Sequence, residues 1–115
     1  MALVSNIEAV PVTIASGTNL SAAVALGAKT LVGIMMSSGW DAAGLSFQAT
    51  ADGTTFGDMH TTSAELTMTA AAGQFIAVDP TQWRGVNDIK VRSGTSGTPV
   101  NQTADRVITL VLRAL

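Results

Sequence analysis

The fold this sequence predicts is an all-β antiparallel β-sandwich, jelly-roll-like, with about eight or nine short strands. Three observations predict it. Apolar and polar residues alternate along short stretches, as in Leu45-Ser46-Phe47-Gln48-Ala49-Thr50-Ala51 and Ile108-Thr109-Leu110-Val111-Leu112. Turn formers interrupt these stretches every 8 to 12 residues or so. No stretch carries the helical period that an amphipathic helix needs.

Each element follows from its own residues. Val10, Val12 and Ile14 alternate around Thr13, and Ser16-Gly17-Thr18-Asn19 closes that strand. Leu20, Ala22, Val24 and Leu26 form a second alternation, turned by Gly27-Ala28. Leu31 to Met36 is a continuous apolar run of strand length, the pattern of a strand covered on both faces. Ser37 to Gly44 is a loop holding Trp40, and the Leu45 strand runs from it into Asp52-Gly53, a tight-hairpin signal leading to a short strand at Phe56. Phe47 and Phe56 are expected in the core. Asp58 to Ser63 is polar and expected to be exposed, Glu65 to Thr69 alternates weakly, and Phe75 to Val78 stops at Asp79-Pro80. Thr81 to Asn87 reads as a short helical turn containing Trp83 and Arg84. Asp88 to Ser93 and Arg106 to Arg113 are the last strands, the latter with Ile108, Leu110 and Leu112 inward and Val107 and Val111 on the other side.

At 115 residues the chain has the size of one domain, able to bury about 60–70% of its unfolded surface. The domain reading is a short N-terminal arm, residues 1–8, and a single sandwich, residues 9–115. Met1 to Val10 has no basic leading region and carries Glu8, so it does not read as a secretory signal. Lys29, Gly27 and Gly33 interrupt the longest apolar stretch, Leu20 to Met36, which therefore reads as two strands and a turn rather than a membrane span.

Only 12% of residues are charged, about half the usual share, while 47% are hydrophobic. So small a charged surface suits a protein partly covered by copies of itself or by a partner. The net charge of −2, with no basic run, argues against nucleic acid as a partner. Cysteine is absent, which removes disulfides, thiolate catalysis and Cys-ligated metal.

No residue pattern points to catalysis, and the chain is read as not an enzyme. His60 is the one histidine, beside Asp58, and lacks the further ligands a metal requires or a nucleophile to activate. No nucleophile elbow, phosphate loop or dinucleotide fingerprint is present. Asp41, Asp52, Asp58 and Asp79 read as turn residues, and no cofactor or metal is expected. The candidate interface residues are Trp40, Trp83, Arg84, Val107 and Val111. Tryptophan anchors interfaces or packs the core, and an exposed one stacks on sugar rings. Val107 and Val111 would be wasted on an uncovered sheet. Arg84, with Lys90, Arg92 and Arg106, is placed to pair with acids of a neighbouring subunit or to lie at the ordinary surface.

A wider resemblance runs from about Ser21 to Arg113. Leu31-Val32-Gly33-Ile34 with a tryptophan downstream, the stretch Leu45 to Phe56, Val91-Arg92-Ser93-Gly94-Thr95, Pro99-Val100-Asn101-Gln102, Ala104-Asp105-Arg106 and Thr109-Leu110-Val111-Leu112-Arg113 together resemble small structural proteins of tailed bacteriophages and prophages of proteobacteria. The resemblance implies a virion component on the capsid exterior: a decoration or cement protein that clamps major capsid subunits, frequently as a homotrimer. It implies the major capsid protein and the chain itself as partners, with no nucleic acid and no membrane. Two rival expectations stand beside it: a carbohydrate-binding module on the virion surface, and a tail or head–tail connector component.

Overall fold

Nested pairing organises the chain. In the computed structural model, which describes residues 7–114, β1 (Ile7–Ile14) pairs with β8 (Arg106–Arg113), and β2 (Val24–Ala25) with β7 (Asp88–Ser93). Inside these, β3 (Thr30–Met35) pairs with β6 (Phe75–Ala77), and β4 (Leu45–Thr50) with β5 (Gly57–Asp58). Every pairing is antiparallel, so the chain is one long double ribbon with the β4–β5 connection at its tip. Rolling that ribbon brings β3 beside β8 and β4 beside β7. Two four-stranded sheets result, ordered β1-β8-β3-β6 and β2-β7-β4-β5. That order is a jelly roll, as the sequence predicts.

The core lies between the sheets and follows the alternation. Ile108, Leu110 and Leu112 of β8, Leu45 and Phe47 of β4, Ile89 and Val91 of β7, and Leu31 and Ile34 of β3 are essentially inaccessible. The short strands β2, β5 and β6 lie on sheet edges, where a brief ladder limits unwanted pairing. The long edge strand β1 carries Pro11, whose missing N–H is tolerated at an edge.

Several local expectations are corrected. The Asp52-Gly53 step is not a two-residue hairpin turn: β4 ends at Thr50 and β5 begins at Gly57, with residues 51–56 between. Asp52 does hold this loop, accepting hydrogen bonds from the Thr54 and Thr55 N–H groups, both at 2.9 Å, and from the Thr50 hydroxyl at 2.8 Å. Those donors hold its carboxyl well below the usual carboxylate range. Phe56 is half-buried rather than core, its ring lying 4.5 Å from the Lys90 ammonium. The Leu20–Leu26 alternation shrinks to Val24–Ala25, because the Ser21 hydroxyl accepts from the Val91 N–H at 2.9 Å and occupies the ladder. Residues 65–69 make only two isolated bridges, His60 to Glu65 and Leu45 to Met68, and the expected helical turn is the 3-10 turn Pro80–Trp83. Of the expected arm, Ile7 and Glu8 belong to β1, and Met1 to Asn6 lie outside the described residues.

One end of the sandwich is closed by polar contacts. Gln102 is fully buried, accepting from the Asp41 N–H at 2.9 Å and donating to the Ser93 hydroxyl at 2.9 Å. Arg106 reaches the Asp41 carboxylate at 3.2 Å. Beside this plug, Gly94 has φ +88°, and a Cβ there would stand 2.5 Å from the Thr98 carbonyl oxygen and 2.8 Å from the Val100 nitrogen. Both obstacles are backbone, so nothing swings aside. Gly94→Ala is expected to cost at least about 2 kcal/mol of stability, read as a lower urea midpoint with an unchanged slope.

Candidate functional site

The two sheets present opposite chemistry to solvent. On β2-β7-β4-β5 the outward residues are polar. Arg92 of β7 faces Ser46 of β4, and Lys90 faces Gln48. The Arg92 guanidinium crosses Ser46 to reach Asp58 and, at 3.3 Å, Glu65. Ser46 in turn donates to the Gly94 carbonyl at 2.7 Å, and the Ser96 N–H donates to Glu65 at 3.0 Å. Hydrogen bonding from Arg92 holds the Asp58 carboxyl below its ordinary range. Residues 58–65 and the loop after Gly94 are thus tied to this sheet by one buried cation.

On β1-β8-β3-β6 the outward residues are apolar. Cross-strand register sets them in rows: Thr13 beside Val107; then Pro11, Thr109, Met35 and Phe75; then Ala9, Val111, Gly33 and Ala77; then Ile7 beside Arg113. Arg113, at the end of the inner strand β8, is the only charge in these rows. Phe75 (61% exposed), Ile7 and Val107 (48% each) and Met35 (41%) are the large hydrophobic side chains left exposed among the described residues, and all four lie on this face. Its relief is uneven. The Phe75 ring lies so close over Gly33 that a Cβ there would meet it at 2.6 Å, whereas β1 offers mostly short residues, Ala9, Pro11 and Thr13. Such a face can gain free energy only by being covered.

The five candidate residues therefore separate. Val107 and Val111 stand on the apolar face. Trp40 and Trp83 are inside: the Trp40 indole N–H donates to the Ala43 carbonyl at 3.0 Å, and Trp83 meets Phe47 edge-to-face at 4.9 Å between centroids. Buried to 6% and 1% exposure, neither indole offers a face to a sugar ring or an interface. Arg84 is exposed at an open cleft of about 530 Å³ lined also by Gly27, Ala28, Lys29, Thr30 and Val86. Lys29 is engaged with Glu8 at 3.4 Å. Arg92 and Arg106 pair with carboxylates of their own chain. His60 is exposed, as expected.

Sequence reasoning missed Met35, Phe75, Ile7, Ala9 and Pro11 as members of the face. Only Phe75 carried a signal: in Phe75-Ile76-Ala77 just one residue, Ile76, turns inward, so a large aromatic is left outside. Among the described residues no group of three or more His, Cys, Asp or Glu lies close enough to hold a metal, and no helix is long and apolar enough to cross a membrane. Compared with known proteins, the chain matches no family model, no curated protein and no solved structure.

Proposed function

We propose that this protein is a structural component of a tailed-bacteriophage virion, a capsid decoration or cement protein that stabilises the head by binding between major capsid subunits. The observation that carries the reading is the bare apolar face of β1-β8-β3-β6 on a domain whose other sheet is polar and tied down by its own chain. A sheet face left uncovered by the described residues is completed by assembly, and the sequence resemblance to phage structural proteins gives that assembly its setting. Low charge and a rigid jelly roll suit a part held in a lattice by shape and apolar contact.

Purified protein mixed with assembled heads from the same genome is expected to co-sediment with them and not with free major capsid monomers. Gel-band stoichiometry of the particles should show many copies per head. Protein that stays in the supernatant with intact heads overturns the reading. Copies sufficient only for a single ring at a vertex would move the assignment to a connector.

A further inference from the structure

We propose that the apolar face of β1-β8-β3-β6 is a self-association surface, on which a second copy of this chain packs face to face about a two-fold axis running parallel to the strands. Charge, shape and area each favour a second copy as the occupant.

The rows from Thr13 to Ala77 contain no charged side chain, and Arg113 stands in the last row, at the end of β8. Nothing on the face recognises an acidic or basic partner. An identical uncharged surface meets it without stranding a charge.

The relief is complementary to itself. Phe75 and Met35 stand tall on the β6–β3 half, while Ala9, Pro11 and Thr13 leave the β1 half low. A two-fold axis parallel to the strands lays the β6 edge of one copy over the β1 edge of the other. Phe75 of each copy then fills the shallow strip over Ala9 and Pro11 of its mate, twice per pair. Flat sheets packed this way stand about 10 Å apart, the spacing inside a sandwich. A three-fold arrangement brings one face against a different surface and loses this match.

Four strands about 4.8 Å apart, over some seven residues of about 3.3 Å, make a face on the order of 400 Å². Two such faces with their side-chain relief bury on the order of 1,000 Å² in total, the lower limit for a specific interface. The pair is accordingly expected to dissociate in the micromolar range and to tighten when held in a lattice.

The test is sedimentation equilibrium of the purified chain from about 1 to 100 μM. A monomer–dimer equilibrium is expected, and Val107→Glu or Met35→Lys should weaken it at least about 100-fold while leaving the thermal melt of the monomer in place. Val107 and Met35 are both partly solvent-facing, so one variant serves if the other fails to fold. Pairing is located by a second measurement. The chain has no cysteine, so Pro11→Cys with Phe75→Cys introduces two thiols on opposite edges of one sheet. A bis-maleimide matched to the roughly 10 Å between packed sheets should then give a covalent dimer. Wild-type protein that is monomeric at the highest concentration overturns the proposal. So does a trimer, or a dimer indifferent to both charged variants. The pairing stands apart from the virion role: a dimer that ignores phage heads would overturn that role and leave the pairing intact.

Discussion

Trp83→Ala is expected to lower the unfolding free energy by about 4 kcal/mol, the upper part of the range for deleting a large buried aromatic. The 3-10 turn Pro80–Trp83 is short, and Asp79 caps it by accepting the Thr81 N–H at 3.0 Å. That cap aims the indole inward against Phe47, which sits on β4 directly opposite Val91 of β7. Removing the ring opens a void beside Phe47, which cannot close over it without leaving its strand. Against a typical total of 5 to 15 kcal/mol for a domain, the loss is a large share. Trp83→Phe is the informative contrast. The Trp83 indole N–H is buried with no hydrogen-bond partner among the described residues, a cost that phenylalanine removes along with part of the volume. The two effects oppose, and Trp83→Phe should cost about 1 kcal/mol. Urea unfolding followed by the fluorescence of Trp40 measures both variants. A Trp83→Phe as damaging as Trp83→Ala would show that the N–H is satisfied in solution.

The same tryptophan marks the boundary of what the sequence makes legible. A strand's inner and outer faces are written in its own alternation, which is why β4, β7 and β8 and the inward set Ile108, Leu110 and Leu112 can be read directly. Val107 and Val111 emerge as outward by the same rule. Which strands lie beside β8 is a long-range matter, decided by the rolled ribbon, so Met35 and Phe75 could not be seen to join Val111 on one surface. The loop tryptophans, read from sequence as core packing or interface anchors with a sugar-stacking rival, prove to be core packing. Loops of a jelly roll close over the open ends of the sandwich, and a large ring in such a loop plugs the core rather than facing water. Trp40 and Trp83 do this from segments whose polarity suggests exposure.

The polar sheet resists sequence reading for a related reason. Arg92 lies 34 residues from Asp58 and 27 from Glu65, and neither spacing is a motif. Alternation marks Arg92 as outward and therefore as solvated, yet its side chain is only 7% exposed. The neighbouring segment folds back beside β4 through the Met59 N–H, which donates to the Phe47 carbonyl, and the Leu45–Met68 bridge. Both carboxylates arrive over Arg92 by that route. Among the described residues, one sheet is thus covered by local chain and one buried cation, while no equivalent segment crosses the outer face of the other.

Breaking that cluster on one side should be costly. Arg92→Met keeps the apolar stem but leaves the Glu65 carboxylate, 16% exposed, and the Asp58 carboxylate, 40% exposed, without their cation. Removing one member of a buried pair commonly costs 3 to 5 kcal/mol, and the partial exposure of Asp58 reduces this to about 2 to 3. Neutralising the whole cluster, as Arg92→Met with Asp58→Asn and Glu65→Gln, should recover at least half of the loss, because the desolvated charges disappear together. The pH dependence follows the sign of the Asp58 shift. Its folded pKa is lowered by Arg92, so the pairing contributes fully above the unfolded value of about 3.9 and is lost as pH falls below it. Wild-type and Arg92→Met stabilities should therefore differ most at neutral pH and converge as pH falls below the unfolded value of about 3.9 and on through the lowered folded one. Unfolding curves at pH 7 and pH 3 measure the two gaps. A gap of equal size at both pH values would mean that Arg92 acts through its hydrogen bond to the Ser46 hydroxyl rather than through its pairing with the carboxylates.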